Sequence, residues 1–325
     1  MIKRVLKQAL NRTVGPVLDH GGLGDLVKAA VAPGFRDLRA ALQEVRAALQ
    51  DSIDNSQEAQ LLLRLRYEEL AAAGTSSGRQ TGLPDVGFRR FSEFEEDGLL
   101  LYIFAVVGAT NRQVVEMCAG NGRECMAANL IINHGWRGFL FDGDEWNVKT
   151  MRAFYAGHRD TFLLPPACVH AWIKTENVNR LLDELGVDPE PDLFSLDMDG
   201  VDYWIWKATE RIRPRVVLCE THNIIPLPLA LTVPYEPGFR YQDLPPEQRD
   251  FRSVSLAAMA QLMKAKGYRL IGAHRHGFNV FFMRNDVGLD WFPELAPEAC
   301  HRNPWTQIGQ KERWPVVQGM PWVSV

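Results

Sequence analysis

The segment Val115-Glu116-Met117-Cys118-Ala119-Gly120-Asn121-Gly122 has the residue types and spacing to hold a small ligand. An acidic residue closes an apolar run, and two glycines one position apart follow it. Glycine takes positive φ without steric cost and lets the backbone come close to a ligand. Glu116 is placed to accept from an ammonium group. A second apolar run, Phe139-Leu140-Phe141, ends in Asp142. It lies about 20 residues after Gly120, where a carboxylate accepting from ribose hydroxyls is expected. Asp144 is the alternative, two positions later. Trp172, beyond a third strand, is placed for an adenine. Glu116, Cys118, Gly120, Gly122, Asp142, Asp144, Trp172 and Asp197 are thus the expected cofactor contacts.

A ligand with an ammonium, a ribose and no phosphate suits this set, and S-adenosylmethionine is such a ligand. A dinucleotide suits it less. Cys118 stands where the first glycine of GxGxxG belongs, and no third glycine follows Gly122, although a pyrophosphate needs close backbone approach there.

Three later clusters supply groups for a reaction: Asp197-Met198-Asp199-Gly200-Val201-Asp202, Glu220-Thr221-His222-Asn223 and His274-Arg275-His276. Methyl transfer to a hydroxyl needs an acceptor oxygen in line with the sulfonium and a group that takes its proton. His222 is the favoured base because it directly follows a strand end beside the expected pocket. His276, His274 and Asp199 are the other catalytic candidates. The second route is a divalent metal such as Mg²⁺ on oxygen ligands, with Asp197, Glu220 and Asn223 as the expected set and Asp199 or His222 able to complete it. Tyr203, Trp204 and Trp206 read as core rather than as a sugar platform.

These residues need a scaffold that collects strand ends at one edge. Strands are expected at Val114–Met117, Gly138–Phe141, Asp192–Leu196 and Arg215–Cys219, and helices at Glu124–His134, Asn177–Leu185, Asp202–Ile212 and Val254–Lys266. Gly135, Gly186 and Gly267 are the stop signals. The alternation predicts a Rossmann-like α/β domain with a mostly parallel sheet. Tyr268–Ala273 and Phe278–Met283 flank a turn and read as a terminal antiparallel pair. The domain spans residues 81–325, with a Pro- and Trp-rich tail after Asp290 expected to wrap the surface.

Residues 1–80 differ. Leu38, Leu42, Val45 and Leu49 recur at helical spacing, and Ala59–Ala73 carries Leu61, Leu62, Leu65 and Leu70. This is a helical accessory region that packs on the main domain or pairs two copies of the chain. The Gly74–Gly78 stretch reads as a break. The basic start, MIKRVLKQAL, lacks the apolar core of a secretory signal and reads as a packing or oligomer helix ahead of a membrane-surface one.

The ordered motifs resemble the FkbM-like branch of class I S-adenosylmethionine-dependent methyltransferases, from Phe91 to Arg284, roughly 60% of the chain. Phe91-Ser92-Glu93-Phe94-Glu95-Glu96-Asp97-Gly98 is similar to the family's opening Ser-Gln-x-x-Glu-Asp, with Glu93 where Gln is common. Glu116–Gly122 matches the cofactor loop and Phe141–Asp144 the ribose strand. Phe194–Tyr203 resembles the Asp-Val-Glu-Gly-x-Glu-Tyr block, and Lys266–Leu270 through Asn279–Phe282 the closing strand pair. Cys118 for Gly and the N-terminal 80 residues depart from the pattern. The resemblance implies a seven-stranded sheet whose last strand is antiparallel, and O-methylation of sugars, glycans or natural products. It also places Asp197 and Glu220 where metal-dependent catechol methyltransferases keep acidic ligands.

Composition bounds the alternatives. The net charge is −4 and no basic run breaks it, so no nucleic-acid partner is expected. No apolar run reaches the ~20 residues of a membrane span. Five cysteines without a CxxC pair point to free thiols in a reducing compartment, the cytoplasm. Two other functions share the fold: a scaffold that binds the cofactor without turnover, and a nicotinamide oxidoreductase.

Overall fold

The computed structural model describes residues 57–73 and 83–325. The chain divides into two compact units, Met1–Leu63 and Arg64–Val325. Residues 57–72 are helical, and Leu61, Leu62, Leu65 and Leu70 on them are exposed. The expected heptad-like leucines at 38–49, the basic start and the break at 74–78 lie outside the described residues.

The second unit is built on one seven-stranded sheet. Its strands are β1 (Gln113–Met117), β2 (Arg137–Asp142), β3 (Ala167–His170), β4 (Leu193–Leu196), β5 (Val216–Glu220), β7 (Tyr268–Ala273) and β8 (Asn279–Arg284); β6 (Leu231–Thr232) and β9 (Val323–Ser324) form a separate pair. The order is β3-β2-β1-β4-β5-β8-β7. The first five strands run parallel, and β8 inserts antiparallel between β5 and β7. This is a Rossmann-like α/β fold with a mostly parallel sheet.

The strands are apolar on both faces because helices cover both. Val115, Met117, Phe139, Phe141, Phe194 and Leu196 point into one layer, with Trp206 and Met259. Val114, Leu140, Leu193 and Leu218 point into the other, with Ile103, Leu130 and Met151. The helices are α1 (Glu96–Val107), α2 (Ala128–His134), α3 (Glu145–Ala156), α4 (Val178–Glu184), α5 (Asp202–Ala208), α6 (Leu256–Ala265), α7 (Pro304–Glu312) and α8 (Trp314–Val317). At the amino ends of the strands, buried Asp192 accepts from the backbone N–H groups of Thr110, Asn111 and Arg112 and pairs with Arg215 at 2.8 Å. That knot fixes the edge opposite the carboxyl ends.

Several boundaries differ from expectation. Helix α2 starts at Ala128 rather than Glu124, because the N–H groups of Met126 and Ala127 bond to the Glu116 carboxylate. Helix α5 ends at Ala208 rather than Ile212; Asn179 takes the N–H groups of Glu210 and Arg211. The tail after Asp290 does more than wrap. It forms α7 and α8, buries Trp314 and Val317, and pairs β9 with β6. Among the described residues, no helix is long and apolar enough to cross a membrane, and all five cysteines are free thiols.

Candidate functional site

Parallel register sets Met117 beside Phe141, so Glu116 and Asp142 reach the same carboxyl edge on neighbouring strands. The bend after β1 takes positive φ at Cys118 (62°), Gly120 (56°) and Gly122 (80°). At Cys118 this backbone shape costs roughly 1–2 kcal/mol relative to glycine. The two glycines serve different ends. A Cβ on Gly122 would meet Met151 Cγ at 2.9 Å, so Gly122 lets the bend pack on α3. A Cβ on Gly120 would have nothing within 4 Å, so the space above it is open.

Asp142 is buried and ties this bend to the end of β2. Its Oδ2 accepts from Gly120 N at 2.9 Å, and its Oδ1 from Asp144 N at 2.8 Å and Asn147 Nδ2 at 3.2 Å. An ionised carboxylate offers about four acceptor positions, so capacity for one ligand hydroxyl is left. Asp144 instead caps α3, accepting from Asn147 N at 2.9 Å. Trp172, just past β3, is half-exposed. Its indole donates to Pro237 O at 2.6 Å, and its ring lies against Gly143.

Glu116 turns inward. Its oxygens accept from Met126 N at 2.9 Å, Ala127 N at 2.7 Å and Cys125 Sγ at 3.1 Å. Burial pushes its carboxyl up, although these donors favour the ionised form. The carboxylate therefore fixes the path from the bend into α2. It occupies the N–H groups of Met126 and Ala127, in the turn that leads into the helix.

The ends of β4 and β5 bring three carboxylates together. Single oxygens of Asp197, Asp199 and Glu220 lie within 4.8 Å of one another, a group that could hold a metal ion. Asp202 holds the turn beneath them, accepting from Met198 N at 2.8 Å and Gly200 N at 3.0 Å. Burial and then the neighbouring carboxylates push Asp197 and Glu220 well above the usual carboxylate range. Glu93 adds a further negative charge facing Asp197.

One feature here escaped the sequence reading. Arg252 reaches in from the segment before α6, with Nη1 at 2.5 Å from Asp199 Oδ1 and its guanidinium 4.7 Å from the Tyr241 ring centroid. Nothing in the spacing of residues 233–255 marks it.

His222, Asn223 and His274 are engaged by partners other than these carboxylates. Asn223 is buried, and its amide donates to His276 O and Thr306 Oγ1, both at 2.9 Å, which clasps the tail. His222 is buried as well. Its Nε2 lies 2.8 Å from the Asp250 carbonyl, to which it donates. Burial first, and then Arg252, lower it to about 3, so the ring is neutral. His274 is lowered to about 3 by burial, and its Nδ1 accepts from Asn279 N. His274 and His276 pack with Phe94, at 5.5 and 4.9 Å between centroids.

No family model matches the chain, and no curated protein matches it. Solved structures similar to it include a S-adenosylmethionine-dependent methyltransferase from Clostridium acetobutylicum, at 10% identity over 57% of this chain and 89% of that one, with a TM-score of 0.35. The CcbJ methyltransferase from Streptomyces caelestis matches at 14% identity over 58% and 94%, TM-score 0.34. CalO1, a methyltransferase in calicheamicin biosynthesis, matches in its SAH-bound form at 17% identity and TM-score 0.32; 56% of this chain aligns, and it spans about half of that protein, 52%. These are likenesses of fold alone.

Proposed function

We propose that this chain binds S-adenosylmethionine at the carboxyl edge of β1 and β2 and transfers its methyl group to a hydroxyl of a sugar, glycan or natural-product acceptor. One observation carries the reading. The bend is open above Gly120 and anchored by Asp142, while the N–H groups of Met126 and Ala127, in the turn that leads into α2, are taken by the chain's own Glu116. Such a site suits a nucleoside with a charged amino-acid end and disfavours a pyrophosphate. The ordered motifs from Phe91 to Phe282 support placing the chain in the FkbM-like branch.

The cofactor supplies an electrophilic methyl group on a sulfonium. The chain does the rest. Asp142 orients the ribose and holds the bend, Asp202 fixes the β4 turn, and the carboxylates of β4 and β5 face the acceptor. A divalent cation on Asp197, Asp199 and Glu220 is the second reading, favoured by their mutual approach within 4.8 Å. Pairing of two copies through the exposed leucines of residues 57–72 is an accompanying proposal, which sedimentation velocity tests.

A competition experiment tests the assignment. S-adenosylmethionine and NAD are each titrated while thermal unfolding is followed. A ligand that binds only the folded state raises the midpoint. A rise with S-adenosylmethionine alone is expected; a rise with NAD alone, or with neither, overturns the reading.

A further inference from the structure

A cavity of about 570 Å³ lies at the amino ends of β1 and β2, on the edge of the sheet opposite the Gly120 bend. The helical residues 64–72 and the carboxyl ends of α1 and α2 wall it, and Arg112 and Trp136 line it just ahead of β1 and β2. Tyr67 holds the helical residues there, its ring meeting Tyr102 of α1 edge to face at 5.0 Å between centroids. Ligands of doubly wound sheets sit at the carboxyl ends of the strands, so the proposed cofactor site makes no use of this space.

The lining has an apolar part and a charged part. Leu101, Phe104 and Leu130 are buried, and the buried Trp136 ring lies 4.6 Å from that of Phe104. Trp291, half-buried, joins them. Arg64 and Arg112 bring two permanent positive charges, and both face His134. Burial first, and then these arginines, lower His134 to about 4, so its ring is neutral. Glu68 is the acid of the lining, 3.4 Å from Arg64 Nε. Two arginines against one glutamate leave a net charge of +1. The carbonyls of Val107 and Gly108, at the end of α1, would repel an anion, but Arg215 takes them at 3.0 and 2.6 Å.

Small-molecule pockets span about 300–1,000 Å³ and combine apolar and aromatic walls with a few polar groups that orient the ligand. A guanidinium recognises a carboxylate or sulfonate through paired hydrogen bonds. An uncharged molecule would gain nothing from the arginines, and a polyanion would outnumber the single net charge.

We propose that this cavity binds a small amphiphilic monoanion, an apolar chain or ring system carrying one carboxylate or sulfonate. Its head lies at Arg64 and Arg112 and its body against Phe104, Leu130, Trp136 and Trp291. The site is separate from the one proposed for the cofactor and stands independently of the methyltransferase reading.

Fluorescence of 1-anilinonaphthalene-8-sulfonate titrated into the full chain tests this, since Trp136 and Trp291 can pass energy to the bound probe. Wild type is expected to take up the probe. Decanoate should displace it at least about tenfold more effectively than decanol, and S-adenosylhomocysteine should not displace it. Arg64→Gln combined with Arg112→Gln should weaken uptake about tenfold or more. Ala71→Trp, which fills the space and keeps both charges, should abolish it. No uptake by wild type, the result that a second copy seated over the opening would give, overturns the proposal. Displacement by S-adenosylhomocysteine, decanol equal to decanoate, or unchanged uptake in either folded variant does the same. If a variant does not fold, the decanoate and decanol titrations of wild type decide.

Discussion

The Asp142 carboxylate accepts the backbone N–H of Gly120 at 2.9 Å, joining the ends of β1 and β2 through one side chain. The same carboxylate accepts the N–H of Asp144 at 2.8 Å. One acidic residue thereby sets the position of both loops that would enclose a nucleoside.

Glu116 organises the path into α2. Its replacement by Gln keeps the size but removes a charged acceptor from three buried donors and turns an NH₂ toward N–H groups. Glu116→Gln should lower stability by about 3 kcal/mol, read as a fall in denaturant midpoint at unchanged slope. A loss under about 1 kcal/mol contradicts the structural role given to these bonds.

Asp144 acts as a helix cap. Asp144→Ala should cost about 1 kcal/mol of stability and leave S-adenosylhomocysteine affinity unchanged in a calorimetric titration. A large fall in affinity with little loss of stability would instead make Asp144 the ribose partner.

His222 is held neutral. Its ordinary value is 6.5, and burial lowers it to about 3. The unfolded chain therefore binds a proton that the folded one refuses, and the stability His222 contributes is complete above 6.5 and lost as pH falls toward 3. The groups facing it are Arg252, Asp250 and Arg313. Between neutral pH and about pH 5, the loss from this group is about 2 kcal/mol. His222→Gln should destabilise the chain less at about pH 5 than at neutral pH, by that amount. A variant that unfolds in parallel with wild type at both values contradicts a buried neutral ring.

What the sequence disclosed follows from what spacing encodes. Glu116, Gly120, Gly122 and Asp142 sit where adjacent parallel strands end, so their separation along the chain predicted their meeting in space. Asp197 and Glu220 were legible for the same reason. His222 was not, because its place after a strand end says nothing about which way the ring turns, and it turns to the Asp250 carbonyl. Arg252 left no trace, since the segment before α6 has no periodicity and its partner Asp199 lies far away in sequence. Helix α1, Glu96–Val107, was not delimited because it is apolar all round and buried over most of its length. It shows no amphipathic period to read.

The most direct measurement of the central claim is a calorimetric titration of S-adenosylhomocysteine into wild type and Asp142→Ala. The account predicts binding to wild type, weakened roughly ten- to hundredfold in a folded Asp142→Ala, the cost of a hydrogen bond to a charged acceptor. No binding to wild type, or equal binding to both proteins, would contradict it.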